Sequence, residues 1–436
     1  MGGGTLQLSS YGGQDVETIG NPQMTFFKSV YKRHTNFAIE TIEQNFEGTI
    51  TNNESKVTSI INKNGDLIHR CFLDIKFPEF SANTNNTNEN YTNWTNATGY
   101  AYLKEVSLFI GDLLIDKHIS EWFDIWNELT DINNNEHLVV NKNYAKTNTL
   151  KNNDNKQSCK PLQCYIPLQF WFNRFISSAL PLLALQYHDV KLQFLFRDLK
   201  HLINTDGTIG NTPTQIPSVK LFVDYIFLDA PERKQFAEKS HEYLIEQVQF
   251  KKDTLTTSNN INFNHPVKEL IWTVRNKNVG KESTSNINAV ANTVKTISNN
   301  SNTMNNGNDY FNYSTLEYNT TRTEFVGGFA SNEPFERANI SFNGMERFSK
   351  QRASYFRTIQ PLTYHSKVPR KHIYNYSFCI KPESLQPSGS CNFSRMQDCS
   401  LEFDNITTDD SDLFVFAKSY NVLVIHAGMG GLKYSN

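Results

Sequence analysis

Eleven histidines are the side chains best suited to metal or acid–base chemistry in this 436-residue chain, and their spacing argues against both. A histidine metal centre shows in sequence as HxH or HExxH, which put two imidazoles on one face of a strand or helix. Neither pattern occurs; His188-Asp189 and His265-Pro266 stand alone and read as hydrogen-bonded structural histidines. Nucleophilic serine chemistry of the GxSxG type is also missing. Its nearest approach, PSGSC at Pro387–Cys391, lacks the second glycine and reads as a loop entering a strand. Glycines at Gly2-Gly3-Gly4, Gly12-Gly13 and Gly430-Gly431 do not follow the GxxxxGKS/T phosphate cradle. The acids Glu402, Asp404, Asp409 and Asp410 lie among Ser and Thr, not among hydrophobes that would raise a carboxyl pKa. Cys71, Cys159, Cys164, Cys379, Cys391 and Cys399 are scattered without CxxC spacing and read as reduced thiols. No catalytic, cofactor-binding or metal site is expected, and the chain reads as a non-enzyme.

Asparagine offers a different chemistry. Asn-x-Ser/Thr acceptor triplets start at Asn85, Asn90, Asn93, Asn96, Asn299, Asn312 and Asn319, which are candidate glycosylation sites. Most fall in or beside Asn/Thr/Ser tracts at 81–99, 131–157 and 276–309, which carry too little apolar material to repay ordering and are expected as surface loops. Against modification stands the start MGGGTLQLSSYGGQDV, with neither a basic n-region nor an apolar run, so synthesis in the cytosol is expected. Gly2 is placed for myristoylation, but Leu6 stands where that motif wants Ser or Thr.

These side chains need elements to hold them, and composition favours strands. Phe (31) and Tyr (19) help bring aromatic content to 13%, and such rings suit pleated, half-buried surfaces. A single core rarely grows past about 300 residues, so 436 residues predict two domains. With 42 basic against 44 acidic side chains and no block of like charge, no direct contact with nucleic acid is expected. The apolar stretch Tyr165–Tyr187 holds Pro167, Asn173, Arg174 and Pro181, and reads as two buried strands and a connection, not as a transmembrane segment.

Local patterns fill in the strands. Val57–Phe77 predicts a hairpin turning at Asn64-Gly65, and Leu103–His118 a second one turning at Gly111-Asp112, with Val106, Leu108 and Ile110 on one face. Ser120 is placed to cap a helix whose Trp122, Ile125, Trp126 and Leu129 form an apolar stripe. The same order then recurs. Asn339–Phe348 is a strand and an Asn343-Gly344 turn, followed by a helical pattern carrying Ala353, Phe356 and Ile359. Leu180–Phe194 finds a counterpart in Ser388–Phe403, and Val219–Asp229 in Leu413–Ile425. Charged, helix-compatible Pro231–Gln247 lies between as a connector. Two tandem eight-stranded jelly-roll β-sandwiches, with short helices in connecting loops, make the predicted all-β fold. A jelly roll can also be a cupin, but that needs clustered metal ligands, which the histidine spacing does not supply.

The opening Gly2–Glu40 (GGGTLQLSSYGGQDVETIGNPQMTFFKSVYKRHTNFAIE) closely resembles the start of major capsid proteins of nucleocytoplasmic large DNA viruses, the algal-virus and giant-virus type. The likeness continues in NGDL (64–67), IDKH (115–118), ALPLLALQYHDVKL (179–192), DYIFLD (224–229) and HEYLIEQVQF (241–250). It runs on through NFNHPVKELIW (262–272), QPSGSCNFSRM (386–396) and AGMGGLKYSN (427–436), departing in the Asn-rich loops. The resemblance implies a structural shell subunit that trimerises into pseudo-hexagonal capsomers and tiles an icosahedral coat over an internal membrane, assembled in the host cytoplasm. Minor capsid proteins beneath the shell would be its other partners. It divides the chain into an N-terminal inner-face assembly arm (1–25), jelly roll 1 (26–229), a linker (230–247) and jelly roll 2 (248–436). Candidate assembly contacts are Phe26, Phe27, Tyr31, Arg33, Arg347 and Arg352, aromatic and arginine side chains of the kind that anchor interfaces. The rival readings are a minor capsid or penton variant of the same family and a glycan-binding β-sandwich. Intact-mass measurement of virion-derived protein tests the acceptor asparagines: added hexose-type mass is expected if they are used, and the bare chain mass removes them.

Overall fold

The internal repeat read from the sequence is realised strand for strand. The computed structural model describes residues 3–10, 12–13, 15, 19–29, 31–81, 92–95, 97–131, 158–159, 161–205, 215–277, 303–304, 310–311, 313, 318–319, 333–406 and 411–435. In the first half, β1 (Phe37–Gln44), β2 (Ser55–Ile60), β3 (Leu67–Phe77), β4 (Leu103–Ile110) and β5 (Leu113–Ile119) precede a helix α1 (Ser120–Thr130). Then come β6 (Leu162–Pro167), β7 (Val190–Phe196) and β8 (Ser218–Leu228). In one sheet β1 pairs β8, β8 pairs β3, and β3 also takes β6 and the short strand Leu180–Pro181; the facing sheet runs β2-β7-β4-β5.

After helix α2 (Ala230–Glu238) the second half repeats the plan with β9 (His241–Thr254), β10 (Ser258–Asn260), β11 (Pro266–Asn276), β12 (Arg337–Phe342) and β13 (Met345–Glu346). A helical stretch over 355–359 continues into α3 (Gln360–Tyr364), ahead of β14 (Ile373–Ser377), β15 (Cys399–Asp404), β16 (Ser411–His426) and β17 (Met429–Leu432). Its sheets run β9-β16-β11-β14, with β17 on β16, and β10-β15-β12-β13. Each half is thus a jelly roll of two antiparallel sheets, and β1 through β8 match β9 through β16 in order.

Period-two burial sets the strand faces: Val190, Leu192, Phe194 and Phe196 point inward on β7, as Cys399, Leu401 and Phe403 do on β15. The Gly111 hairpin forms as expected, with Gly111 at φ 62°, and Asn343-Gly344 turns with both residues at positive φ. Three expectations are corrected. Val57–Phe77 is not a hairpin, because β2 pairs β7 in one sheet and β3 pairs β8 in the other, so 61–66 crosses between sheets. Gly65 is there for room, since a Cβ would sit 2.9 Å from Tyr225 Cβ. Ser120 is the first residue of α1 and its hydroxyl donates to Glu121 Oε2 at 3.0 Å, so it does not cap the helix through its side chain. Finally, Trp94, Thr95, Ala97 and Thr98 of the 81–99 tract are buried, with the Trp94 ring 5.2 Å from Phe77: one tryptophan outweighs a polar neighbourhood.

β9 begins at His241, so residues 241–247 lie in a strand paired with β16, and α2 with the turn after it is the whole connection between the sheets. By itself, residues 1–37 make a separate unit containing a short helix, Gly3–Ser9, and exposed Leu6, Leu8, Ile19 and Met24. Residues 38–436 form the other unit.

The two halves share apolar packing. Ile245, Ile271, Ile373, Phe414, Phe416, Leu423 and Ile425 of the second half join the first half's core, while Trp272, Tyr374, Phe335 and Phe403 fill the second sandwich itself. The middle of the β9-β16-β11-β14 sheet is therefore covered on both faces, and β16 is buried at most of its 16 residues. Calorimetry should show one unfolding transition for both halves. Phe416→Ala, which opens the junction beside Trp122, should lower that single transition by about 3–5 kcal/mol of stability. Two separable transitions would contradict shared packing.

Candidate functional site

The junction of the two sandwiches holds a cluster of buried ionisable groups, and α1 organises half of it. Its apolar stripe, Trp122, Ile125, Trp126 and Leu129, is buried as the spacing predicts. A second stripe at i, i+3 and i+7 puts Glu121, Asp124 and Glu128 toward the second half, also buried. Each carboxylate meets a cation there: Glu121 with Arg275 at 3.1 Å, Asp124 with Lys371 at 2.6 Å, Glu128 with Lys367 at 4.0 Å. Aromatic rings line the cations. The Arg275 guanidinium lies 4.6 Å from the Phe414 ring centre, and Lys371 lies 5.3 Å from Phe311.

A second ionic group runs through the sheet that both halves cover. Glu246 on β9 is bonded by Arg174 of the first half and by Lys268 on β11, with Lys418 on β16 at 3.2 Å. Lys418 sits 3.9 Å from Glu269 and 4.0 Å over the Trp126 ring. His365 closes the chain: Nε2 is 2.8 Å from Glu269 Oε2 and Nδ1 is 3.1 Å from Glu383 Oε1. An imidazole with a carboxylate at each nitrogen must carry both protons, so His365 is an imidazolium. Burial alone would lower its pKa, but Glu269 and Glu383 raise it to about 9. Burial would likewise raise Glu246, yet Arg174, Lys418 and Lys268 hold it at about 2. Lys418 is pushed down to about 7 by burial and by Arg174 and Lys268.

Backbone contacts complete the junction. Val248 N–H donates to Asp116 Oδ1 at 3.1 Å, Tyr187 N–H to Gly428 O at 2.9 Å, and Gly430 N–H to His188 Nδ1 at 3.2 Å. This arrangement is suited to holding two rigid bodies in one orientation. Glu121, Asp124, Glu128, Glu246, Glu269 and Glu383 are each paired with a basic side chain across it.

Phe26, Phe27 and Tyr31 are 89%, 97% and 83% exposed and, with exposed Arg33, lie in the 1–37 unit; Arg347 and Arg352 are exposed on the second half after β12. Asn85, Asn90, Asn96, Asn299 and Asn312 fall outside the described residues, as do Asp409 and Asp410. Asn93 and Asn319 belong to short strands, Thr92–Trp94 and Tyr318–Asn319. Cys71, Cys164, Cys379, Cys391 and Cys399 carry no disulfide, and burial pushes the Cys71 and Cys164 thiols up to about 12. The ionic junction itself was missed. Its signal was present as charges inside apolar runs, in HEYLIEQVQF, VKELIW and LFVFAKSYNVLVI.

Comparison with known proteins decides what this double sandwich is. Residues 25–229 match the model of the major capsid protein N-terminus, and residues 232–431 that of the large eukaryotic DNA virus major capsid protein. The chain belongs to the major capsid proteins of large eukaryotic DNA viruses. Among these capsid proteins it is 38% identical to that of Pyramimonas orientalis virus and 36% to that of Paramecium bursaria Chlorella virus 1, each over 100% of both chains. The crystal structure of PBCV-1 VP54 superposes with a TM-score of 0.73 at 31% identity, covering 94% of this chain and 100% of that one. The Faustovirus major capsid protein shares the fold at a TM-score of 0.70 and 14% identity, over 95% and 94%.

The ionic junction gives this capsid protein a pH signature. His365, with a folded pKa near 9 against about 6.5 unfolded, contributes stability in full below pH 6.5 and loses it as pH rises through 9. Its loss amounts to about 3 kcal/mol. Lys418 titrates in the opposite sense between pH 7 and 10.5, so the histidine is read as the difference between wild type and His365→Gln. Melting curves from pH 6 to 10 should show that difference shrink with rising pH; a constant difference would mean His365 is neutral in the fold.

Proposed function

We propose that this capsid protein assembles as a homotrimer whose six jelly rolls form a pseudo-hexagonal capsomer, and that capsomers tile an icosahedral shell over an internal membrane. The observation that supports it is the junction: two sandwiches of the same topology, joined by buried ion pairs and shared apolar packing, would supply two adjacent sides of a hexagon. Three copies then suffice for six sides, which close-pack on a hexagonal lattice. In this reading the sandwiches are residues 26–229 and 241–436, linked by 230–240 because the strand that opens the second one starts at His241, and residues 1–25 are an arm on the inner face, near minor capsid proteins. Exposed Phe26, Phe27 and Tyr31, just after that arm, are aromatic candidates for assembly contacts. The role is structural, and the place of action is the virion shell, with assembly in the host cytoplasm.

Among the described residues no helix is long and apolar enough to cross a membrane. Light scattering of purified protein should give three times the 50.1 kDa chain mass, and negative-stain images of that fraction should show hexagonal outlines. A stable monomer that no viral partner converts to a trimer would overturn the reading.

A further inference from the structure

Between Thr18 and Ile39 the chain carries Lys28, Lys32, Arg33 and His34 and no acid, although its 42 basic and 44 acidic side chains nearly cancel overall. Apolar side chains are interleaved with those cations, and both kinds stand in solvent. Ile19, Met24, Phe26, Phe27 and Tyr31 are each more than half exposed. Lys28, Lys32 and Arg33 are exposed too, and none has a carboxylate partner among the described residues. Rings and cations left unsatisfied side by side point to one occupant that takes both.

The internal repeat supplies a comparison. β9 is entered through residues 230–240, where Glu232 and Glu238 offset Arg233, Lys234 and Lys239, and Phe236 packs against Leu67, Ala179 and Ile226. β1 is entered through a segment with charge of one sign and rings that pack on nothing in its own unit. Of two equivalent strands, one is therefore preceded by a self-satisfied helix and the other by a segment open to a partner.

That partner must offer negative charge and an apolar layer within a side chain's length of each other. An anionic bilayer surface does so, with phosphates and carboxylates for the cations and the headgroup–acyl boundary for aromatic rings. Nucleic acid offers anions and stacking faces, but it has no place for the aliphatic Ile19 and Met24. The described residues of 26–36 lie outside helix and strand, so their backbone groups keep hydrogen bonds to water, and insertion stops at headgroup depth.

We infer that Phe26, Phe27 and Tyr31 lodge among the headgroups of an anionic lipid surface while Lys28, Lys32 and Arg33 sit on its phosphates. This inference rests on the capsomer reading, in which the surface is the internal membrane, and adds to it a direct contact between shell protein and lipid. A trimer would present three such segments to one surface, which strengthens weak single contacts.

Flotation of the full-length protein with phosphatidylcholine vesicles, with and without phosphatidylserine, tests the contact. A cation near an anionic surface strengthens binding about fivefold, so three should favour the phosphatidylserine vesicles about a hundredfold. Raised salt should shrink that preference. The Lys28→Gln, Lys32→Gln, Arg33→Gln triple variant should bind both vesicles alike. Phe26→Ser with Phe27→Ser should weaken binding to anionic vesicles and keep their preference over neutral ones. All five positions lie outside both cores, and near-ultraviolet circular dichroism should match wild type. A wild-type chain that floats with neither vesicle, or a triple variant that still prefers phosphatidylserine, would overturn the inference. Tighter binding to a single-stranded oligonucleotide than to anionic vesicles would also overturn it, with nucleic acid as the occupant. Light scattering of the same samples separates the two readings: three chain masses without flotation would leave the capsomer and remove the lipid contact, and one chain mass with anionic flotation would do the reverse.

Discussion

One sheet governs this molecule. Because the middle of β9-β16-β11-β14 is covered on both faces, each charged side chain buried there must find a partner or forfeit several kcal/mol of hydration. Glu246, Lys268, Glu269 and Lys418 satisfy that demand by pairing with one another and with Arg174 and His365 from flanking segments. Apolar residues of similar size would pack there at less cost. What ion pairs add is direction, since a carboxylate and an ammonium tolerate less sliding than two leucines, while Phe416, Ile271 and Trp122 supply apolar cohesion.

Helix α1 shows how one element serves both purposes. Its aromatic stripe belongs to the core of its own half, while its acidic stripe reaches the cations of the other. The counterpart at 355–364 has Phe356 buried but Ile359 and Leu362 outside, the same device with its second stripe unused within the chain. Duplicated folds commonly diverge in this way, where one copy meets a neighbour that the other lacks.

Much of this was legible in the sequence. The repeat could be read because turn residues mark it, Gly111 in one half and Asn343-Gly344 in the other, and because period-two burial leaves a visible alternation in β7 and β15. What misled was sequence adjacency. An Asn-Gly pair between two apolar runs implies a hairpin, yet in a jelly roll consecutive strands such as β2 and β3 belong to opposite sheets, and Gly65 answers to the Tyr225 ring instead of to a turn. The ionic junction was hidden for a related reason. Glu128 and Lys367 are more than two hundred positions apart, and only the packing of α1 makes them neighbours. Similarly, the burial of Trp94, inside a tract of polar average composition, and of Tyr310, at the edge of another, could not be seen in the sequence.

Helix α2 buries none of its residues, although it is the segment through which the chain passes from one sandwich to the other. Cohesion of the halves lies in the junction, so the covalent link does something else. It fixes the ratio of two unlike sandwiches at one to one and delivers them already in contact. Two separate genes would have to balance their expression and sort their products to reach the same mixture. A single reading frame makes that accounting unnecessary and leaves each half free to drift in sequence while its partner is always at hand.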